Sequence, residues 1–356
     1  MIAEMVGQQM TGTIRYVEPV RYGSATGLIA ELYQQMKADF MVGPVMTLQS
    51  PLPEVMAGAW SILRETLLAG RVDRAIKEAV AAAVSKKNQC HFCVDAHTLM
   101  LRAIGKHDVA DAILRGDYDS IHDGQLRSLF QWATADQITD PNQLSFSAFG
   151  RRDAPELIGT AVVFHYVNRM VDVFLGQAVL PLPGAPNGVT RRLYAATMDK
   201  KIVRPLEQGN SLKFVPQSEL PHDLSWASGN SAMAAAFAGF ATVVEEVGKT
   251  VLPEEVRVLI REYVQAWNGE VMGISPRWVE DAVVHMLRAH RSAARLTLLT
   301  ALAPYQVDSC AVEEFRSQYS DDAQLIAATA WASFTAARRA GVWLAAPFGI
   351  IGGNHV

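Results

Sequence analysis

The sequence of 356 residues contains only three cysteines and few charged side chains. Three cysteines are too few for a framework of structural disulfides, which favours a protein of a reducing cytoplasm. Charged residues make up 19% of the chain, and its net charge is −4. No run of lysine and arginine is typical of a nucleic-acid-binding surface, so we expect no nucleic-acid partner.

Signals for export or membrane insertion are also missing. The N-terminal residues MIAEMVGQQMTGTIRYVEP have no basic segment followed by an apolar core, so we expect no secretory signal. The most apolar long stretch, ELIGTAVVFHYVNRMVDVFLGQAVL, is interrupted by four polar or charged residues: His165, Asn168, Arg169 and Asp172. These interruptions favour a buried helix over a membrane span, and we expect a cytoplasmic protein with no membrane partner.

Period-two alternation, the mark of β-strands, is scarce. Only SLKFVP, residues 211–216, could be a strand, and it could equally be an extended connector. Strong helix formers dominate the chain, and apolar residues recur at three- and four-residue spacing. We therefore predict an all-α fold. Four residues mark helix boundaries: Gly70, Asp73, Gly105 and Gly116.

The two halves of the chain resemble diverged copies of one helical unit. CVDAHTLMLRA (93–103) aligns with VEDAVVHMLRA (279–289), and TAVVFHYVNRMVDVFL aligns with TAWASFTAARRAGVWL further on. Glu78 aligns with Glu262, and three anchors in the same order favour duplication. The second copy lacks the cysteines, so we predict that it is degenerate. The predicted organisation is an N-terminal arm at 1–25, a first unit at 26–180, a linker at 181–230 and the degenerate repeat at 231–356.

The stretch NQCHFCVDAHTLMLRA holds the residues best suited to chemistry. Cys90 and Cys93 form a C-x-x-C pair, and His97 follows four residues later. On a helix that begins near Cys90, the two thiols and the imidazole fall within about 60° of one another on the apolar face. His91 and Asp95 fall on the opposite side, so we predict that they face outward.

Further predictions concern the pKa values of the thiols, a possible disulfide between them and the orientation of His97. Thiols in the first turn of a helix, near a histidine, are predicted to have lowered pKa values. Their spacing also allows a disulfide. Glu78 lies in the preceding helix, and an antiparallel helix pair would bring its carboxylate to His97 and orient the imidazole.

The residues alone leave other interpretations open. Two cysteines with His97 and Glu78 could supply four zinc ligands, although no second C-x-x-C or closely spaced histidine pair is present. The two thiols could also be inert residues of a buried helix face. We expect Cys310 to be buried as a small apolar residue. Asn168 and Arg169 are expected to make structural contacts.

The spacing E-x11-C-x2-C-x3-H, formed by Glu78, Cys90, Cys93 and His97, resembles the alkylhydroperoxidase D-like and carboxymuconolactone decarboxylase superfamily. KEAVAAAVSKKNQCHFCVDAH is similar to the signature helix pair of that superfamily, and FHYVNRMVDVF to a segment of its peroxidase-related members. The resemblance is strong over about residues 45 to 180. The fold it implies is two tandem AhpD-like helical units, the second degenerate.

The resemblance implies a role for each of these four residues. Cys93 would attack the peroxide, Cys90 would resolve the sulfenic acid and meet the reductant, His97 would act as base, and Glu78 would complete the proton relay. The best-known members have a histidine directly before the second cysteine, where this chain has Phe92.

We therefore predict a thiol-dependent peroxidase that reduces alkyl hydroperoxides. The implied reductant is a lipoyl- or thioredoxin-like dithiol protein, with no bound cofactor or metal, and the implied assembly is a homo-oligomer, with a trimer favoured. Two alternatives stay open. One is a family member that acts on a lactone or a thiol–disulfide partner, and the other is a non-enzymatic oligomeric redox sensor.

Overall fold

The computed structural model describes residues 13–136, 149–175 and 204–349. Within these ranges the chain forms helices and no strand, which confirms the all-α prediction. The α-helices are α1 Gly27–Asp39, α2 Pro44–Thr47, α3 Pro53–Leu63, α4 Arg74–Lys87, α5 His91–Ala103, α6 His107–Arg115, α7 Gly124–Ala133, α8 Ala154–Phe174, α9 Ser231–Val251, α10 Glu254–Ala266, α11 Arg277–Val283, α12 Arg291–Leu302, α13 Ser309–Arg316 and α14 Asp322–Ala345.

The helix boundaries predicted from glycine and aspartate are confirmed. Gly70 has a φ of 108° and lies between α3, which continues as a π-helical turn over Arg64–Leu68, and α4. Asp73 caps α4 by accepting a hydrogen bond from the backbone N–H of Ala75 at 2.8 Å. Helix α5 ends two residues before Gly105, and α6 ends directly before Gly116. Both glycines have a positive φ.

Helix α8 forms the centre of the core. Every one of its residues is buried, as expected for a helix that is apolar on nearly all sides. It packs mainly against α14 and α4, and α5 packs against α4. This is the apolar stretch predicted from its sequence to form a buried helix, and that prediction is confirmed.

Among the described residues, α9 is the helix long and apolar enough to cross a membrane by length and composition. Half of its apolar window is buried within the protein. Core helices pass the same test, and one face of α9 packs against α3 and α14.

One part of the second half differs from the copy with which it aligns. CVDAHTLMLRA lies within α5, whereas VEDAVVHMLRA is in α11 only as far as Val283, and a turn follows. Residues 204–230, part of the predicted linker, pack on the core, where Ser211, Leu224 and Trp226 are fully buried. SLKFVP contains a single 3₁₀ turn at Leu212–Phe214. The segment VLPLPGAPNGVTRR and the first residues of the predicted arm, 1–12, lie outside the described residues.

The helices at the aligned positions occur in the same order in both halves. The first copy contributes α4, α5 and α8, and the second contributes α10, α11 and α14. Thr160 and Thr329, which the alignment pairs, both donate hydrogen bonds to the carbonyl four residues earlier, at 2.7 and 2.8 Å. The duplication and its domain limits stay a prediction.

Candidate active site

A tight turn between α4 and α5 positions the C-x-x-C pair. The backbone N–H of Cys90 donates to the carbonyl of Ser85 at 3.0 Å, and that of Gln89 donates to Lys86 at 3.2 Å. These two bonds form a Schellman motif, with Gln89 in the left-handed conformation at φ 61°. The helix begins near Cys90, as predicted, but the turn places Cys90 directly before α5, and of the two cysteines only Cys93 lies within the first turn.

Glycine is usual at this left-handed position, so we expect Gln89→Gly to stabilise the protein. The left-handed conformation costs a residue with a side chain about 1–2 kcal/mol. Glycine loses about 0.5–1 kcal/mol more backbone entropy on folding, so the net gain is about 0.5–1 kcal/mol. Urea unfolding would measure the gain, and Gln89→Val is the control that should lower the free energy of unfolding. A destabilised Gln89→Gly would contradict the proposed strain.

The two sulfurs of the C-x-x-C pair are neighbours. Cys90 Sγ and Cys93 Sγ lie 2.7 Å apart as free thiols, and both residues are buried. A small side-chain rotation would bring them to bonding distance. On the outward side of α5, His91 is exposed and Asp95 half-buried, which confirms the predicted division of the helix faces.

Glu78 and His97 form the predicted contact between α4 and α5. His97 Nδ1 lies 2.5 Å from Glu78 Oε2, and Arg74 Nε donates to Glu78 Oε1 at 2.7 Å. Burial alone would raise the pKa of Glu78, but Arg74 and His97 together hold that pKa below its usual value. An ionised Glu78 accepts a hydrogen bond from Nδ1–H of His97, so Nε2 of His97 is left as the basic nitrogen.

The pKa values of the thiols differ from expectation. Burial raises the pKa of Cys93, and it raises the pKa of Cys90 well above its ordinary value. The prediction that the helix start and His97 lower both values was wrong, because loss of solvation outweighs those effects at these buried sulfurs. At neutral pH the resting pair is therefore protonated, and a base is needed to generate a thiolate.

A cavity of about 120 Å³ opens beside the site. Its wall is almost entirely apolar, and Cys93, His97 and Glu78 are the polar side chains in it that carry chemistry. Phe92 forms part of the wall, and the ring of Phe164 meets the His97 imidazole edge to face at 4.3 Å between centroids. The other lining residues are Phe40, Met41, Gly43, Pro44, Val45, Met46, Trp60, Leu63, Leu67, Ala96, Met100 and Val167.

The structure thus places the four predicted site residues in two contacting pairs, Cys90 with Cys93 and Glu78 with His97. Cys93 and His97 face the same cavity, but in the described part of the chain no hydrogen bond joins them. Cys90 lies behind Cys93 and is absent from the described lining of the cavity. The described residues also contain no group of three or more His, Cys, Asp or Glu side chains arranged to hold a metal ion.

A polar stripe on α8, formed by His165, Asn168 and Asp172, faces the turn before Cys90, and no role in the site was predicted for it from the sequence. Asn168 Oδ1 accepts a hydrogen bond from Ser85 Oγ at 3.1 Å, and His165 Nδ1 lies 3.3 Å from Asn88 Nδ2. The carboxyl of Asp172 lies near the Cys90 thiol. In the sequence these polar residues recur every three or four positions in an otherwise apolar helix, and that spacing could have indicated that they share one functional face.

Arg169 and Cys310 lie outside the site, and the structure confirms the prediction for one and corrects it for the other. Arg169 makes structural contacts, because its guanidinium donates to the carbonyls of Ala301 and His165, each at 2.7 Å. Cys310, expected to be buried, is exposed. It lies in the first turn of α13, whose buried face is formed instead by Ala311, Val312 and Phe315.

Comparison with known proteins supports the same family. Residues 53–134, which run from α3 to just beyond α7, match the carboxymuconolactone decarboxylase family. The chain is 36% identical to an alkyl hydroperoxide reductase of Mycobacterium tuberculosis over 334 residues, covering 94% of this chain and 95% of that protein. No solved structure matches the chain significantly. The chain therefore belongs to the carboxymuconolactone decarboxylase family, as the spacing of its glutamate, cysteines and histidine suggested.

Proposed function

We propose that this chain is a thiol peroxidase that reduces alkyl hydroperoxides. The observation that supports this best is the asymmetry of the thiol pair: Cys93 lines the apolar cavity with His97, and Cys90 lies 2.7 Å behind it. A nucleophile in the wall, a base beside it and a resolving thiol within reach are the parts such a reaction needs. The similarity to an alkyl hydroperoxide reductase over nearly the whole chain points to the same chemistry.

The first half of the proposed cycle uses Cys93 and His97. Nε2 of His97 takes the thiol proton, with Glu78 stabilising the imidazolium that forms. The Cys93 thiolate attacks the distal oxygen of the hydroperoxide, the O–O bond breaks, and the departing alkoxide takes the proton from His97. The products are an alcohol and a sulfenic acid at Cys93.

The second half restores the thiols. Cys90 attacks the Cys93 sulfenic acid, forming a disulfide and releasing water. An external dithiol then reduces the disulfide. Both sulfurs are buried, which favours a slender dithiol arm such as a lipoyl group over a reductant that needs a flat exposed site. A homo-oligomer, a trimer and a cytoplasmic location stay predictions.

The cavity favours an apolar hydroperoxide over the lactone alternative. Its described lining contains no lysine or arginine, so nothing there would pair with the carboxylates of a carboxymuconolactone. Apolar walls of this kind gain free energy by enclosing hydrocarbon, whereas hydrogen peroxide has no apolar surface to bury.

The direct test is turnover with cumene hydroperoxide and dihydrolipoamide. We expect peroxide-dependent oxidation of the dithiol, faster with cumene hydroperoxide than with hydrogen peroxide. If the hydroperoxide oxidises the thiol pair once but no dithiol reduces it again, the result would favour the redox-sensor alternative. No oxidation of either thiol would reject both.

A substitution in the cavity wall tests the substrate class. Met100 lies one turn beyond Ala96 on α5 and is buried in the lining. Met100→Gln keeps the volume but adds a polar group, so we expect kcat/KM for cumene hydroperoxide to fall about tenfold. The value for hydrogen peroxide should change little. Met272→Gln, outside the cavity lining, is the matched control, and equal losses with both peroxides would contradict an apolar substrate site.

A further inference from the structure

Asp172 is a buried carboxyl beside the Cys90 thiol, and the cycle described above gives it no role. It lies on α8 and is 3% exposed. Neither of its carboxyl oxygens accepts a hydrogen bond of ordinary geometry from the described residues. A carboxylate removed from water without donors is costly, so its position next to a reactive thiol calls for a chemical explanation.

Two arginines lie near Asp172, and the shorter hydrogen bonds that they make among the described residues go to backbone carbonyls. The Arg169 guanidinium donates to the carbonyls of Ala301 and His165. Arg15 donates to the backbone carbonyls of Asp172 itself and of Val173, at 3.2 and 3.0 Å. The arginines attract the carboxylate, but in the described part of the chain neither forms an ion pair with it, so its oxygens stay available to another partner.

The Cys90 thiol is the polar group positioned to be that partner. Burial raises the pKa of Asp172 to about 7, while Cys90, Arg169 and Arg15 act in the opposite direction. The present contact falls short of a full hydrogen bond, yet the thiol is close enough to stabilise the carboxylate. A carboxyl in this range is a stronger base than an ordinary aspartate and is still partly ionised at neutral pH.

The two thiols therefore have different proton partners. Cys93 shares the cavity with His97, whereas Cys90 lies outside the described lining and has a pKa raised well above its ordinary value. A thiol with such a pKa needs a base before it can attack, and His97 is already paired with Glu78 on the other side of the site.

We propose that Asp172 is the base that accepts the Cys90 proton when Cys90 attacks the Cys93 sulfenic acid. The proposal rests on the proposed peroxidase function. The S–H bond of Cys90 breaks, and the proton moves to Asp172. The Cys90 thiolate forms an S–S bond with Cys93 as the S–O bond breaks, and the leaving hydroxide takes a proton from solvent through the cavity to become water.

The same proton returns to Cys90 in the reductive half of the cycle. The external dithiol attacks the Cys90–Cys93 disulfide at Cys93, which lines the cavity, and Cys90 leaves as a thiolate that takes the proton from Asp172. The second thiol of the reductant then displaces Cys93, whose thiolate takes a proton that the dithiol released. Because Asp172 only holds the proton between the two steps, it needs no path to solvent, in agreement with its burial.

Asp172→Asn separates this role from a structural one. With cumene hydroperoxide in a single turnover, we expect the Cys93 sulfenic acid to form at the wild-type rate. The disulfide should then form about 100-fold more slowly, so that the sulfenic acid accumulates. In the wild type the disulfide step should accelerate with pH through an apparent pKa near 7, and Asp172→Asn should lose that dependence.

Further variants and outcomes decide the proposal. Asp172→Glu keeps a carboxyl and should restore part of the rate and the pH dependence. Asp95→Asn, on the outward face of α5, should match wild type. Disulfide formation at the wild-type rate and pH profile in Asp172→Asn would overturn the role, as would equal slowing of both steps.

Failure of the peroxidase proposal would look different, because no sulfenic acid would form in any variant, wild type included. If Asp172→Asn does not fold, the pH dependence of disulfide formation in the wild type tests the proposal. A disulfide step that is flat between about pH 5 and pH 9 overturns the role of Asp172, and a rise through about 7 supports it.

Discussion

Cys93→Ser is expected to abolish peroxide reduction. Cys93 is the thiol in the cavity wall, so the variant has no sulfur where the hydroperoxide is proposed to bind. A serine hydroxyl cannot replace it, because its oxygen neither ionises near neutral pH nor forms a product equivalent to a sulfenic acid. Coupled turnover with cumene hydroperoxide and dihydrolipoamide should fall to the rate without enzyme.

Cys90→Ser should behave differently, and the contrast identifies each thiol. Without the resolving thiol, one equivalent of hydroperoxide should still be reduced quickly, after which disulfide-dependent turnover stops. Cys310→Ser is the matched control, because Cys310 is exposed and distant in sequence from the pair, and it should retain wild-type turnover. Normal turnover by Cys93→Ser, or a single turnover that requires Cys90 but not Cys93, would contradict the assignment.

His97→Gln is expected to slow formation of the sulfenic acid about 100-fold or more. The buried Cys93 thiol has a raised pKa, so without a base few molecules carry the thiolate at neutral pH. The loss should shrink as the pH rises, because hydroxide then removes the thiol proton directly. Single-turnover rates between about pH 6 and pH 10 would measure both effects.

The chain offers a matched control for His97. His290 Nδ1 lies 2.6 Å from Glu255 Oε2, so this partly exposed pair repeats the His97–Glu78 contact outside the lining of the cavity. His290→Gln should leave the single-turnover rate unchanged. Glu78→Gln should lower the rate less than His97→Gln, because it removes the partner of the base and leaves the base itself. A pH-independent loss in His97→Gln would instead indicate a structural role.

Much of the local geometry could be predicted from residue spacing alone. The intervals between Glu78, Cys90, Cys93 and His97 fix their positions on two helices, and a short turn leaves those helices few ways to pack. The sequence therefore predicted the His97–Glu78 contact, which the structure places at 2.5 Å. It also predicted that His91 and Asp95 face outward.

What could not be predicted depends on how completely the site is buried. The dipole of α5 and the nearby histidine suggested acidic thiols, but the surrounding helices exclude water and raise the pKa of both. Asp172 is far from the cysteines in sequence, and only packing of α8 against the turn before α5 brings it to Cys90. Cys310 shows the reverse case, since the apolar residues that follow it, Ala311, Val312 and Phe315, form the buried face of α13, and Cys310 lies outside that face.

The central claim is that Cys93 attacks the hydroperoxide and Cys90 resolves the product. It is tested most directly by mass-spectrometric mapping of the reduced protein after one equivalent of cumene hydroperoxide in the presence of a sulfenic-acid trap. The account predicts a trapped sulfenic acid on Cys93 in Cys90→Ser and a Cys90–Cys93 disulfide in the wild type. A sulfenic acid trapped on Cys90 in Cys93→Ser at the same rate, or no modification of either thiol under excess peroxide, would contradict it.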